Sequence, residues 1–294
     1  MTPAGGSGPV DAHVHVASDD EARFPRHPTG LASDWWKRGG YDVDAVLGTL
    51  AGARVAQMVV VQAAGAYDND NRYVVKVAMD HPESVRAVVV VDPDEPGAAG
   101  VVTDLAARPG VAGVRYMAVR PTAAWVGTER ADRAFASAGR AGLTVVLTVS
   151  SIQIPALRPV MDRFPEVPIV LDHCAFPTLK GSVIRRDDPL LGLIDLPQVA
   201  VKVTSHNLAP LAQAGGGRSL VEQLAGCFGT ARILWGSDYP QTAHDTYAGL
   251  VDLARTALAG LSPAEQSAVL GDNTRRLFGF ADRDGGPNGP YGGP

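Results

Sequence analysis

VDAHVHV, residues 10–16, is the stretch on which the fold reading turns. It is short and mostly apolar, and His13 and His15 stand two residues apart within it. On a strand such a pair points to one face. Seven more runs follow it: MVVVQ (58–62), VRAVVVV (85–91), VAGVRYM (111–117), LTVVLTV (143–149), VPIVLDH (167–173), VAVKVTS (199–205) and RILWGSD (232–238). Most are β-branched and nearly continuous rather than alternating. That is the pattern of parallel strands covered on both faces.

Helical patterns fill the intervals, at 42–54, 70–81, 128–142, 154–164 and 244–258. In the first, Val43, Val46, Leu47 and Leu50 recur at helical spacing behind Asp42 as N-cap. A last helix opens with Ser262 as cap, Pro263 at its first position and Glu265 three residues after the cap. Eight strands spaced by roughly 25 to 45 residues, each interval with room for a helix, give the count of an α/β (β/α)8 TIM-like barrel. An open doubly wound sheet is the alternative. It is disfavoured because no Gly-rich phosphate turn follows any strand. The expected layout is one barrel domain over 10–280, with flexible Gly/Pro-rich ends at 1–9 and 281–294. The longest interval, 17–41, carries Phe24, Pro25, Trp35 and Trp36. It reads either as a wall over a pocket mouth or as a flap packed on its own aromatics.

The chain has 294 residues, 46% hydrophobic and 19% charged, which is globular composition. No apolar run approaches the roughly 18 residues of a membrane helix. The net charge is −5, with 26 basic against 31 acidic residues and no Lys/Arg cluster. Neither nucleic acid nor an anionic membrane is an expected partner. Cys174 and Cys227 form no CxxC pair and no zinc spacing, and the first residues lack signal-peptide character. A cytoplasmic location is expected.

In a barrel, reactive side chains sit at the C-terminal ends of strands. The residues there are His13, His15, Gln62, Arg115, His173, Lys202, Ser205–His206 and Asp238. Singly, each has an ordinary reading. An HxH pair can be core, His173 structural, Asp238 a turn cap. Two imidazoles on an inner face are nevertheless unlike the Val, Ile and Leu that usually fill a barrel. A carboxylate ending an apolar strand is costly unless partnered. Cys174 points away from His173 and reads as an inert buried thiol. No GxSxG elbow is present. YDNDN (67–71) lacks EF-hand spacing and reads as a cap, and Arg275–Arg276 read as a solvated face or a complement to the helix end.

The ordered pieces VDAHVHV, VVVQAAGAYDNDNRY, VAGVRYM, IVLDHCAFP, VKVTS, ILWGSDYP and GDNTRRLF span residues 10–280. Together they resemble the amidohydrolase-2 branch of the amidohydrolase superfamily, and within it the lactonase-like group that acts on pyrone and sugar lactones. The resemblance implies a distorted (β/α)8 barrel and a hydrolase. His13 and His15 match the first-strand pair, His173 the sixth-strand histidine, and Asp238 the eighth-strand aspartate that takes a proton from water. The three histidines would polarise the carbonyl. Gln62, Asn71, Arg115 and Lys202 match pocket-side positions that bind substrate.

One departure stands out. Metal-using relatives place a histidine ligand on strand 5, where this chain has Thr148. His13, His15 and Asp238 could still hold a divalent zinc or manganese ion with water. The expectation is that no metal is required. Around strand 7, TSHNL (204–208) offers no arginine for a dicarboxylated pyrone. A neutral or monoanionic lactone is expected, with Lys202, His206, Gln241 and His244 as further polar contacts. The alternatives are a metal-dependent decarboxylase of the same superfamily and a barrel that binds without catalysis.

Overall fold

The computed structural model describes residues 8–27, 33–118, 124–213, 215, 217–242 and 246–280. Residues 1–7 of the expected flexible 1–9, residues 281–294, and His244 lie outside them, while Gly8 and Pro9 are described. Eight strands form one sheet in chain order: β1 (Val10–Val14), β2 (Gln57–Val61), β3 (Val85–Val90), β4 (Val111–Met117), β5 (Thr144–Thr148), β6 (Ile169–Leu171), β7 (Val199–Thr204) and β8 (Ile233–Gly236). Each pairs in parallel with the next. The last strand returns to the first just beyond its end. The Asp238 amide donates to the His13 carbonyl at 2.9 Å and the His15 amide to the Tyr239 carbonyl at 2.8 Å. That closure excludes the open sheet.

The near-continuous apolar strands are explained by two cores. Val59, Val61, Val88, Val146, Val170, Ala200 and Leu234 fill the barrel interior. Met58, Val60, Val145, Leu147, Ile169, Val201 and Trp235 face the surrounding helices. Alternate residues of each strand are thus buried on opposite sides. The helix Asn273–Phe278 crosses the N-terminal mouth. Phe278 joins the inner core, and the Leu277 carbonyl accepts from Thr144 at the start of β5. Arg275 is buried there, donating to Gln57 at 3.0 Å, rather than lying on a solvated face. Its position across the strand starts, which sequence spacing does not report, makes the difference.

Helix caps follow the sequence. Asp42 accepts from the Ala45 amide at 2.8 Å, Thr128 caps Glu129–Arg140, and Ser262 with Glu265 forms a reciprocal box. The interval between β6 and β7 has no long α-helix. A short hairpin (Leu179–Lys180 with Val183–Ile184) and a 3-10 turn (Pro189–Leu193) occupy it, where Pro177, Gly181 and Pro189 interrupt any helical run. Among the described residues no helix is long and apolar enough to cross a membrane.

At the seam β8 presses directly on β1. A Cβ placed on Gly236 would sit 2.6 Å from the His13 Cβ and 2.9 Å from the His13 amide nitrogen. Backbone cannot yield as a side-chain tip can. Gly236→Ala is therefore expected to lower stability by about 1–3 kcal/mol or more, read as a fall in the urea midpoint. An unchanged midpoint would show that the seam is looser than described.

Candidate active site

Strand β1 changes phase partway along. Val10 and Ala12 belong to the inner core, yet Val14, two residues further, belongs to the outer one. The pairing register with β2 slips between Asp11 and Val14. Such irregularities re-aim side chains near functional sites. Here the slip sends Asp11 outward, to the Tyr247 hydroxyl at 3.0 Å, and turns His13 inward.

The inward histidines meet Asp238. Nε2 of His13 and of His15 lie 3.3 Å apart, and both face Asp238 Oδ1, at 3.6 and 3.4 Å. Ligand atoms of His13, His173 and Asp238 all lie within 4.8 Å of one another. Each imidazole is tethered through its other nitrogen. His15 Nδ1 meets the Val61 carbonyl at 2.8 Å, and His173 Nδ1 meets the Thr204 hydroxyl at 2.7 Å. His13 Nδ1 lies 3.3 Å from Asp172 and 3.4 Å from Lys202 Nζ. A carbonyl only accepts, so His15 carries a proton on Nδ1. The Thr204 hydroxyl has one proton and two acceptors in reach, His173 Nδ1 and Asn207 Oδ1 at 3.3 Å; donating to Asn207 puts the His173 proton on Nδ1, donating to His173 puts it on Nε2.

Burial pushes His13 down to about 3 and His173 to about 4, so both rings are neutral at pH 7. For Asp238, burial works upward, but contact with His15 and the attraction of His13 and His173 outweigh it and hold the carboxyl below its ordinary value. Asp238 is thus an ionised, buried carboxylate, and neither of its oxygens has a hydrogen-bond partner. Such orphaned charge is rare in a folded interior. It sits at φ +57°, in the left-handed region.

Behind His13 lies a second carboxylate that single-residue reasoning missed, although it stands next to His173 in the sequence. Asp172 is wholly buried and accepts from Lys202 Nζ at 2.8 Å, from Thr148 at 2.8 Å, and from Arg115 Nε at 2.9 Å. Burial alone would raise it, but Lys202, His13 and Arg115 hold it well below the usual carboxylate range. Thr148, at the position of the missing strand-5 histidine, is a hydrogen-bond link between Arg115 and Asp172.

A cavity of about 260 Å³ opens beside these groups, with His13, Asp172 and Asp238 fully buried behind its wall rather than on it. His15, Arg115, Thr148 and His173 line it, with Trp35, Met117, Phe176, Ser33 and Gln241 around them. Trp35 stacks on His15, with ring centres 6.0 Å apart and planes at 19°, so the long first loop supplies a wall of the pocket. Of the other sequence-derived candidates, Lys202 is fully buried on Asp172 and does not reach the cavity wall. Gln62 donates to the carbonyls of Asp68 and Asp70, and Asn71 pairs with both main-chain groups of Val90. Both residues tie loops to strand ends. His206 is exposed and packs against His173 and Phe176 at ring distances of 5.3 and 5.2 Å. Cys174 is buried, and burial pushes its thiol up.

His173, Cys174, Ala175 and Phe176 are consecutive residues with positive φ, a left-handed turn built without glycine. Each costs about 1–2 kcal/mol. Asn207 donates to the His173 carbonyl at 2.9 Å, and the turn closes on itself from the Phe176 amide at 3.0 Å. The turn sets His173 and Phe176 against the cavity together.

The donor set also fits a divalent metal. Imidazole nitrogens and a carboxylate suit zinc, and three protein ligands suffice for a catalytic ion. The orphaned oxygens of Asp238 beside the Nε2 atoms are such a set.

The amidohydrolase family model matches residues 10–280. L-Fucono-1,5-lactonase of Burkholderia ambifaria is 27% identical over 241 residues, 79% of this chain and 80% of that protein. A Pseudomonas putida structure assigned as a 2-pyrone-4,6-dicarboxylic acid hydrolase has a TM-score of 0.70 at 24% identity, covering 93% of this chain and 98% of its own. A Burkholderia multivorans amidohydrolase with bound zinc has a TM-score of 0.71 at 20% identity, covering 93% and 99%.

Proposed function

The chain belongs to the amidohydrolase family, and on that premise we propose that it hydrolyses a lactone, with Asp238 as the base toward water. The observation that carries this reading is the buried, ionised Asp238 with both oxygens unpartnered, set among neutral imidazoles beside a small cavity. A carboxylate so placed can take a proton from water within hydrogen-bond reach. His15 Nε2, 3.4 Å from Asp238 Oδ1, stands beside that water's place and can fix its direction.

The attacked carbonyl becomes an oxyanion, which needs donors. His173 supplies one from Nε2 when the Thr204 hydroxyl gives its single proton to Nδ1 rather than to Asn207 Oδ1. Arg115, held through Nε, is the cation on the cavity wall. Donors of this kind are each worth about 2.7–4 kcal/mol. Collapse of the intermediate breaks the bond to the ring oxygen, and the proton held by Asp238 passes to that alkoxide. The products are a hydroxyl and a carboxylic acid. Should His13, His15 or His173 with Asp238 hold a divalent ion, it would supply carbonyl polarisation and a more acidic water.

A panel of sugar lactones, muconolactones and pyrones in a weakly buffered indicator assay tests the reading. Acidification matching substrate loss is expected, because the acid product ionises. Proton uptake with release of carbon dioxide would replace it with the decarboxylase reading. Binding without turnover of any substrate would leave a binding protein. Running the panel after chelation and after zinc or manganese addition shows whether a metal takes part; full activity in chelator is expected.

A further inference from the structure

His13 and Asp238 come from β1 and from the segment after β8, which regular pairing barely joins. β8 ends at Gly236, before Ser237 and Asp238, and among the described residues the ladder pairing of this return with β1 is one bridge, Val14 with Tyr239, beyond the end of β8. Something else must fix His13 against Asp238. Asp11 is in the right place. It is wholly buried, lies outside the cavity, and spends both oxygens. Oδ1 accepts the His13 amide at 3.0 Å and the Ser237 amide at 2.8 Å. Oδ2 accepts the Tyr247 hydroxyl at 3.0 Å, which anchors the carboxylate to the helix Tyr247–Leu258. One oxygen thus holds the two backbone amides that carry or precede the reacting side chains. The His13 carbonyl completes the loop by accepting the Asp238 amide at 2.9 Å.

We propose that Asp11 is a positioning residue that sets the distance between His13 and Asp238 across the barrel seam, acting through its two-amide clamp. The proposal rests on the reading that Asp238, set beside His13, is the base toward water. The register slip in β1 is part of the same device. It frees the Asp11 side chain to turn outward to Tyr247 while His13 turns inward. A regular strand would put both on one face.

The clamp makes a distinction that a general stabilising role does not. It needs an acceptor oxygen and an anchor, not a negative charge. Asparagine keeps Oδ1 for the two amides, and its Nδ2 can donate to the Tyr247 oxygen. Alanine keeps nothing.

The experiment uses Asp11→Asn, Asp11→Ala and Tyr247→Phe in the full chain. Amide hydrogen exchange at His13 and Ser237 is followed together with kcat and KM on a lactone that the wild type hydrolyses. Asp11→Ala is expected to lose protection at both amides and to lower kcat about 100-fold, the scale of a roughly 1 Å misplacement, with KM changed less than kcat. Asp11→Asn is expected to recover protection and most of kcat. Tyr247→Phe should fall between them. Loss in Asp11→Asn as deep as in Asp11→Ala would overturn the proposal, as would wild-type protection in Asp11→Ala. If the alanine variant does not fold, the other two variants decide. If the wild type hydrolyses no lactone, exchange still tests the clamp, so that failure of the activity reading is seen separately.

Discussion

Replacing Asp238 by asparagine is expected to lower kcat by about 10²–10⁴-fold, the range contributed by a positioned general base, while leaving the fold intact. The two halves of that expectation have separate causes. The amide cannot take a proton from water, so the attack loses its base. The backbone accepts the change because residue 238 sits at φ +57°, and asparagine tolerates the left-handed region better than most residues. The folded state holds Asp238 ionised below its ordinary value, so the neutral amide gives up that preference, and the urea midpoint should fall slightly rather than rise. Turnover within about tenfold of wild type would take Asp238 out of the base role, since general acid–base terms start near a hundredfold. Asp238→Ala is the weaker experiment, because alanine at positive φ adds strain to the loss of the base.

The same residues show how far the sequence could be read. The eight strands and their order were legible because strands buried on both faces write continuous Val, Ile and Leu runs, and because caps such as Asp42 and Ser262 act within a single turn. That His13, His15, His173 and Asp238 converge follows from the barrel once the strands are placed. What could not be read depends on contacts between distant residues or on backbone detail. The slip in β1 leaves no mark in VDAHVHV, so sequence alone cannot show that Asp11 and His13 face opposite ways. Lys202 looks like a rim cation from its place near a strand end, but one turn of the pleat buries it on Asp172. Gln62 and Asn71 look like pocket residues for the same reason and hold loops instead. The left-handed turn at 173–176 contains no glycine to announce it. The three histidines, alike in sequence, are unlike in proton placement, because that depends on Val61, Thr204, Asp172 and Lys202.

Asp172 gives the largest expected effect on stability. It is shared by two cations, the fully buried Lys202 and the nearly buried Arg115, and is itself wholly buried. Assembling such a cluster gains little over an apolar core, because desolvation offsets the attraction, but removing one partner strands the others. Asp172→Ala leaves two buried cations facing each other, and a loss of about 3–5 kcal/mol is expected from urea unfolding at pH 7. Lys202→Met should cost less, since Arg115 and Thr148 still satisfy the carboxylate. The order of the two variants is the sharper test; equal losses would mean that bulk, not charge pairing, sets the cost. pH separates the causes further. The folded pKa of Asp172 is depressed, so its stabilisation is present above the unfolded carboxyl value, near 4, and is lost as pH falls below it toward the depressed value. His13 and His173, lowered to about 3 and about 4, favour the folded state less as pH falls below the ordinary imidazole value of about 6.5. Asp11, raised by burial to about 6, has the opposite slope between about 4 and 6 and offsets one of the two histidines. Acid loss in the wild type should therefore be shallow from pH 6 to 4 and steepen below 4. In Asp172→Ala the upper limb should remain while the Asp172 contribution to the steep lower limb disappears. A wild-type curve with no steepening below pH 4 would mean that Asp172 is not held ionised by its two cations.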